Sequence, residues 1–246
     1  MKFQYISDLH LEFHDTNIIT LQPVADYLLL AGDIGNPTHN NYIEFLDDVS
    51  KKYKDVFIIA GNHEYYHQQL AMEQTEQIIR DICSKYSNVH FLQNEFYDFP
   101  ATNVSIFGST LWTHINPHES YVIQSTLGDY ENIPGFTTTT CTALHFKAIE
   151  SYKTLVNKRK DRQIIVLVHH LPHTDLIDSR YFDSCVNSAY ASDVECFKVN
   201  NVKAVVYGHT HIKNVSGKYF CNPVGHKEEN KTIDLEASFH IACESK

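Results

Sequence analysis

The sequence predicts an α/β protein whose central strands are largely parallel. Five short apolar runs, rich in β-branched or aromatic residues, each end at a polar, turn-forming cluster, which is typical of buried strands. Amphipathic helical patterns lie between these runs and give a βαβα order. With 246 residues, of which 43% are hydrophobic, the chain is expected to form a single domain over residues 1–246.

The elements are predicted in chain order from the period of their apolar residues. The five strands are predicted at 3–6, 27–31, 56–60, 164–168 and 204–207, and helices at 41–53, 69–86, 140–157 and 192–200. Shorter strand-like runs lie at 89–92, 95–99, 104–107, 219–222 and 235–241, too close together for crossover helices, and they predict antiparallel additions or a second sheet. Residues 113–136 show no clear period, which indicates a long loop of functional or mobile character.

Composition and charge exclude several classes of protein. The formal net charge of −10 argues against broad nucleic-acid binding, which depends on basic patches, but is compatible with a small phosphorylated substrate held by bound metal. No apolar run approaches the ~18 residues of a membrane span. Asp8 and His10 interrupt the N-terminal stretch where a signal peptide would be apolar. We therefore expect no membrane association and a cytoplasmic location.

Each of the five predicted strands is followed by residues that can bind a metal ion. The clusters are Ser7-Asp8-Leu9-His10, Gly32-Asp33, Gly61-Asn62-His63-Glu64, His169-His170 and Gly208-His209-Thr210-His211. Ligands of open α/β sheets bind outside the carboxyl ends of the strands. The five clusters are therefore predicted to converge on one crevice.

The residue types in these clusters indicate the kind of metal. Carboxylate and amide oxygens mixed with imidazoles suit Mn, Fe, Zn, Co or Ni better than calcium. The seven candidate ligands are Asp8, His10, Asp33, Asn62, His169, His209 and His211. Seven ligands are too many for one open catalytic metal, so we predict two divalent metal ions that share one carboxylate.

Taken together and in this order, the five clusters resemble the motifs of the calcineurin-like metallophosphoesterase superfamily. Thr110-Leu111-Trp112-Thr113 and Asn222-Pro223 further resemble a subgroup of small phosphoesterases of prokaryotic type. The resemblance implies two mixed β-sheets packed face to face as a sandwich and flanked by helices. It also implies a site at the sheet edges, where the loops after the strands meet.

The resemblance also implies a role for each residue of the clusters. One metal would be held by Asp8, His10 and His211, the other by Asn62, His169 and His209, and Asp33 would bridge them. His63 would contact the transferred phosphoryl group and protonate the leaving oxygen, and Glu64 and His170 would support the ligands from outside. Asn36 stands where many members have an aspartate, which affects local loop support rather than the ligands.

Outside the clusters, several residues have two interpretations each. Arg180 could clamp a phosphate oxygen or form a salt bridge within its own loop. His114, Asn116, Asp129 and Tyr130 could line a substrate pocket or belong to a solvated loop.

The activity implied is hydrolysis of phosphomonoesters or phosphodiesters by a metal-bridging hydroxide. A nuclease and a protein phosphatase are close alternatives; the acidic charge argues against the first, and the short chain leaves little room for the docking surface of the second. A non-catalytic metal-binding scaffold of the same fold is the alternative from another class. Such scaffolds lose metal ligands or the motif histidine, whereas every expected position is filled here.

Overall fold

The computed structural model of the protein describes residues 1–13, 19–67, 69–226, 229 and 233–243. Its strands, in chain order, are β1 (Lys2–Ile6), β2 (Tyr27–Leu30), β3 (Asp55–Ile58), β4 (Val89–Phe91), β5 (Glu95–Asp98), β6 (Val104–Ser109), β7 (Gln163–Val168), β8 (Val202–Tyr207), β9 (Asn214–Ser216), β10 (Tyr219–Cys221) and β11 (Ser238–His240). Its α-helices are α1 (Asn40–Lys52), α2 (Met72–Cys83), α3 (Ser120–Thr126), α4 (Asp129–Asn132) and α5 (Thr138–Val156).

The strands form two mixed sheets. The first has the order β11-β1-β2-β3-β4 and the second the order β5-β6-β7-β8-β10-β9. Within each sheet the inner strands run parallel, and β11, β5 and β9 are the antiparallel members. The fold therefore confirms the α/β architecture of two mixed sheets flanked by helices. The shorter runs were expected to add antiparallel or to form a second sheet. This is confirmed for β5, β6 and β10, which lie in the second sheet, and for β11, which pairs antiparallel with β1. It is wrong for β4, which joins the first sheet in parallel with β3.

Both faces of the central strands are buried, which explains why their sequences are continuous apolar runs. In β2, Leu29 belongs to a cluster that also contains Phe57 of the first sheet and Leu167 of the second. Its neighbours Leu28 and Leu30 point the other way, into a cluster with residues of α1 and α2. On the outer side of the second sheet, residues of β6, β7 and β8 pack with Ala148 and Tyr152 of α5.

The helix predicted at 192–200 is wrong. Only a single 3₁₀ turn forms there, at Glu195–Phe197. The preceding backbone is engaged elsewhere, because the amide of Ser192 donates to the carbonyl of Leu171 (3.1 Å) and that of Val194 to the carbonyl of Pro172 (3.0 Å). These tertiary hydrogen bonds outweigh the local helical pattern.

Residues 113–136 are more regular than the sequence indicated. They contain the short helices α3 and α4, and Ile123 is the only buried residue of α3. One buried residue in two turns gives no readable period, which explains why the prediction of a loop was wrong in part. In the part of the chain that the structure describes, no helix combines the length and apolarity that a membrane crossing requires.

Leu29 is fully buried in the layer between the two sheets, so we expect its truncation to reduce the stability of the protein strongly. Leu29→Ala removes packing from both sheets and should lower the free energy of unfolding by about 2–5 kcal/mol in urea denaturation. Val215→Ala is the control, because Val215 is 58% exposed on β9 and its truncation should change stability by less than about 0.5 kcal/mol. Equal effects of the two substitutions would contradict this packing.

Candidate metal centre

The loops that follow the strands hold an unusual backbone conformation. Five residues of the predicted ligand set, Asp8, His10, Asp33, His209 and His211, have φ angles between +46° and +73°. This left-handed region costs non-glycine residues roughly 1–2 kcal/mol each. Tertiary hydrogen bonds support it, since the amide of Asp8 donates to the Gly32 carbonyl and that of His10 to the Asp33 carbonyl, both at 3.0 Å. Strained backbone of this kind is concentrated at functional sites.

Glycines let these loops approach one another closely. A Cβ atom on Gly61 would lie 2.6 Å from the amide nitrogen of Asp33, and one on Gly208 would lie 2.6 Å from Oδ2 of Asp8. Both distances are shorter than carbon can tolerate, so a side chain at either glycine would force the candidate ligands apart.

One group of candidate ligand atoms is formed by Asp8, His10, Asp33 and His211, and these atoms all lie within 4.8 Å of one another. The Nε2 atoms of His10 and His211 are 3.0 Å apart. Nε2 of His211 lies 3.4 Å from Oδ1 of Asp8, and Nε2 of His10 lies 3.8 Å from Oδ2 of Asp33. Asp8 and His10 are fully buried.

A second group is formed by Asp33, His169 and His209, so Asp33 belongs to both. Nε2 of His169 lies 3.4 Å from Oδ2 of Asp33 and 3.0 Å from Oδ1 of Asn62. Nδ1 of His209 lies 3.2 Å from the same Asn62 oxygen. The structure thus brings all seven predicted ligands together around the carboxylate of Asp33.

The hydrogen bonds of the imidazoles determine which nitrogen carries the proton. The Nδ1 atoms of His169, His10 and His211 lie beside the Ala31 carbonyl (2.8 Å), Oε1 of Glu12 (3.1 Å) and Oε2 of Glu229 (2.6 Å). Because these oxygens only accept, each Nδ1 donates its hydrogen, and a ring in its neutral, metal-binding form presents a bare Nε2 atom to the centre.

Bare nitrogens facing each other and facing oxygens repel unless a positive charge lies between them. The two facing Nε2 atoms of His10 and His211, and the approach of His169 to the Asn62 oxygen, therefore fit a centre built for cations. This donor set of imidazole, carboxylate and amide oxygen suits borderline divalent ions. The carboxylates behind the rings are typical of metal-binding histidines.

The pKa values of the candidate ligands also indicate that positive charge is stabilised at this centre. Burial alone would lower the pKa of His169, but the adjacent carboxylate of Asp33 outweighs burial and raises this pKa to about 10. Burial likewise acts against ionisation of Asp33, yet His169 and His63 hold its pKa well below the usual range. For His209, burial and the neighbouring histidines outweigh the charge of Asp33 and lower its pKa strongly.

The orientation of Asn62 depends on Asp129, in the segment that was predicted as a loop. Oδ1 of the buried Asp129 accepts a hydrogen bond from Nδ2 of Asn62 (2.8 Å) and another from the hydroxyl of Tyr66 (2.6 Å). Since a carboxylate accepts and does not donate, the amide nitrogen must face it, and Oδ1 of Asn62 is turned to the histidines. Of the two interpretations open for Asp129, the structure favours a place in the site.

Glu64 connects two of the loops through its backbone contacts. Its carboxylate is fully buried and accepts hydrogen bonds from the amides of Asp33 (3.0 Å), Ile34 (2.7 Å), Gly35 (3.4 Å) and Gly61 (2.6 Å). Burial and the charge of Asp33 raise the pKa of Glu64 to about 8, while the amide donors oppose the increase. Glu64 therefore fixes the loops that carry Asp33 and Asn62.

His63 faces the cavity beside the cluster. Its backbone amide donates to Oδ1 of Asp33 (2.8 Å), and its Nδ1 lies 3.1 Å from Oε1 of Glu12. Its ring stacks on Tyr66 at 4.2 Å between centroids. Burial lowers the pKa of His63, but Asp33 and Glu12 outweigh burial and the net pKa is raised. Relative to a free histidine, this environment favours the imidazolium form, which can donate a proton.

His170 and Arg180 lie in different surroundings. The ring of His170 is buried against His209 at 4.2 Å, with Nδ1 3.2 Å from the Thr110 carbonyl, and burial lowers its pKa to about 3. Arg180 is exposed, and its Nε donates to Oδ1 of Asp178 at 2.8 Å. Arg180 is absent from the described lining of the cavity, so its observed contact is the salt bridge within its own loop.

A cavity of about 430 Å³ opens from the cluster. At one end it is lined by Asp33, Asn62, His63, His209 and His211, and farther out by residues of 127–129 and 177–190. His226 and Glu229 also line it. The candidate centre therefore opens into a space large enough for more than a phosphate group.

Sequence reasoning missed Glu12, His226 and Glu229. Glu12 contacts both His10 and His63, and the ring of His226 lies 4.5 Å from that of His10 and 4.8 Å from that of His211. The sequence did contain one indication that Glu12 belongs to the site, because Glu12 lies two residues after His10. His226 follows the Asn222-Pro223 pair, but neither it nor Glu229 lies at the end of a predicted strand.

Two mixed sheets with candidate metal-binding side chains on the loops after their parallel strands are the arrangement expected of a hydrolase of the metallophosphoesterase class. The chain belongs to the calcineurin-like phosphoesterase family, whose sequence model matches residues 1–213. Candidate metal-binding residues are present in the cluster around Asp33. The family supports a phosphoesterase function for this chain.

Individual relatives carry less information about substrate. The chain is 29% identical to the uncharacterized protein L509 of Acanthamoeba polyphaga mimivirus, over 85% of this chain and 84% of the viral protein. It resembles the crystal structure of a phosphopantetheinyl hydrolase from Mycobacterium tuberculosis, with a TM-score of 0.74, 16% identity and coverage of 92% and 89% of the two chains. The protein TT1561 of Thermus thermophilus matches with a TM-score of 0.52 and 13% identity, covering 91% and 88%. At these identities the two solved structures show the fold.

The contact between Asp129 and Asn62 predicts that Asp129→Ala weakens metal binding. Without the carboxylate, the Asn62 amide can turn its nitrogen to the histidines, and the affinity for Mn²⁺ should fall about 10- to 100-fold in calorimetric titration. Glu131→Ala, an exposed carboxylate on the same short helix, is the matched control and should bind as the wild type does. Unchanged affinity in Asp129→Ala would show that this contact does not orient Asn62.

Proposed function

We propose that the protein is a phosphoesterase that uses two divalent metal ions to hydrolyse a small phosphomonoester or phosphodiester. The observation that carries the proposal is the position of Asp33, whose carboxylate belongs to both groups of candidate ligand atoms. Asp8, His10 and His211 would complete one metal site, and Asn62, His169 and His209 the other. When bound, such cations lower the pKa of water and offset negative charge on phosphate.

The side chains of this chain supply the remaining functions. Glu64 and Asp129 fix the loops and the amide that carry the ligands, so that little rearrangement accompanies binding. His63 stands at the cavity with its Nδ1 held by Glu12, which leaves Nε2 as the ring atom available to substrate. In its imidazolium form it would protonate the leaving oxygen.

Manganese binding tests the two-metal part of the proposal. Wild-type protein dialysed against Mn²⁺ should retain about two ions per chain, and metal at 100 times its Kd should stabilise the fold by about 2.7 kcal/mol per site. Asp33→Asn should lose both ions, since it removes the shared charge, whereas Asp183→Asn changes an exposed carboxylate and should keep both. A stoichiometry of one that survives in Asp33→Asn would contradict the shared-carboxylate arrangement.

Hydrolysis tests the catalytic part. With Mn²⁺ added, an aryl phosphomonoester or phosphodiester should be cleaved, and His63→Ala should lower kcat about 10²- to 10⁴-fold while leaving the bound metal unchanged. His118→Ala removes an exposed histidine and serves as the control. Metal binding without cleavage of either ester would instead favour a non-catalytic scaffold.

A further inference from the structure

The outer part of the cavity differs in character from the candidate metal centre. Its wall comes from three segments: the turn after α3, the loop after β7 and the loop after β8. The apolar and aromatic residues of this wall are Leu127, Ile177, Tyr181, Val186, Tyr190 and Ile212. We refer to these six residues as the outer wall.

The geometry points to a binding site for the alcohol part of the substrate at the outer wall, and we infer that this alcohol is uncharged and carries a flat ring. The inference rests on the proposed function, because it assumes that the phosphate is held at the cluster around Asp33. It concerns the other end of the same cavity. None of the six residues of the outer wall belongs to the five motifs that follow the strands.

Exposed aromatic surface is the first argument for a ring. Tyr181 lines the cavity with 51% of its side chain exposed, and Tyr190 packs its ring on His209 at 4.9 Å between centroids. Both rings therefore line the cavity that also holds the cluster. Aromatic side chains bind flat rings by offset or edge contacts, in addition to the area they bury. A phosphate alone would leave this part of the cavity unfilled.

The charges of the cavity supply the second argument. Besides the ligand Asp33, the acidic residues of the described lining are Asp129, Asp178 and Glu229. Each is engaged by protein, through Asn62, Arg180 and His211. The described lining contains no Lys or Arg to pair with a second anionic group on the substrate, while the existing partners of these acids reduce the attraction for a cationic one. An uncharged alcohol fits this environment best.

The binding of two phosphonates tests whether the outer wall prefers a substrate alcohol that carries a flat ring. Phosphonates have no ester bond to cleave, so calorimetry on the Mn²⁺-loaded protein measures recognition separately from hydrolysis. Phenylphosphonate should bind about tenfold more tightly than methylphosphonate, and Tyr181→Ala should remove most of that ratio. Phe182→Ala is the matched control, because Phe182 is the next residue, is 62% exposed and does not line the cavity.

The outcomes of this titration separate the two proposals. Equal affinities for the two phosphonates, or equal effects of Tyr181→Ala and Phe182→Ala, would overturn the ring-binding site while the phosphate site stands. If neither phosphonate binds, the phosphate site of the proposed function fails and the outer site fails with it.

A charge substitution tests the preference for an uncharged alcohol. Wild type should cleave phenyl phosphate with a kcat/KM about tenfold above that for 4-carboxyphenyl phosphate, and Ser184→Lys, in the cavity lining, should narrow this ratio. Cys185→Lys places the same charge on the exposed neighbouring residue and should leave the ratio unchanged. A preference for the carboxylate ester, or for a trimethylammonium-substituted aryl ester over phenyl phosphate, would overturn the inference.

Discussion

The carboxylate of Asp33 is the constraint on which the rest of the site depends. It is almost completely buried and lies within reach of His10 on one side and His169 on the other, so both groups of candidate ligand atoms meet at this residue. Holding it there requires a left-handed backbone at Asp33 and a glycine opposite at Gly61. These features lower the stability of the fold. A function that needs the loops to converge on cations would explain why they are present.

Three carboxylates that lie behind the candidate ligands orient the ligand side chains. Glu12 and Glu229 hold Nδ1 of His10 and His211, and Asp129 turns the oxygen of Asn62 inwards. These acids come from the segments after β1, after β10 and before α5, so the centre depends on parts of the chain that are distant in sequence. A change in any one segment would alter the direction of a ligand without removing it.

Much of the fold and of the cluster could be predicted because their signals are local. Apolar runs with polar ends located the central strands, and each cluster stands within a few residues of a strand end, so parallel pairing brings the clusters together. The prediction of a helix at 192–200 was wrong, since tertiary hydrogen bonds of Ser192 and Val194 override the local pattern. Glu229 was missed for a related reason, because only the folded chain brings it to His211, 18 residues away and outside any strand-end motif.

The cavity has two parts, the candidate metal centre and the outer wall, and they differ in how closely their residues are tied to the strands. Side chains that would bind phosphate stand on loops fixed directly by the sheets, where a shift of one residue would separate the ligands. The outer wall stands on connections such as 177–190, which the sheets constrain less and whose residues can change without disturbing the strands. Family membership therefore supports a phosphoesterase reaction, whereas the proposed determinants of the substrate, Tyr181, Tyr190 and their neighbours, lie outside the five strand-end motifs.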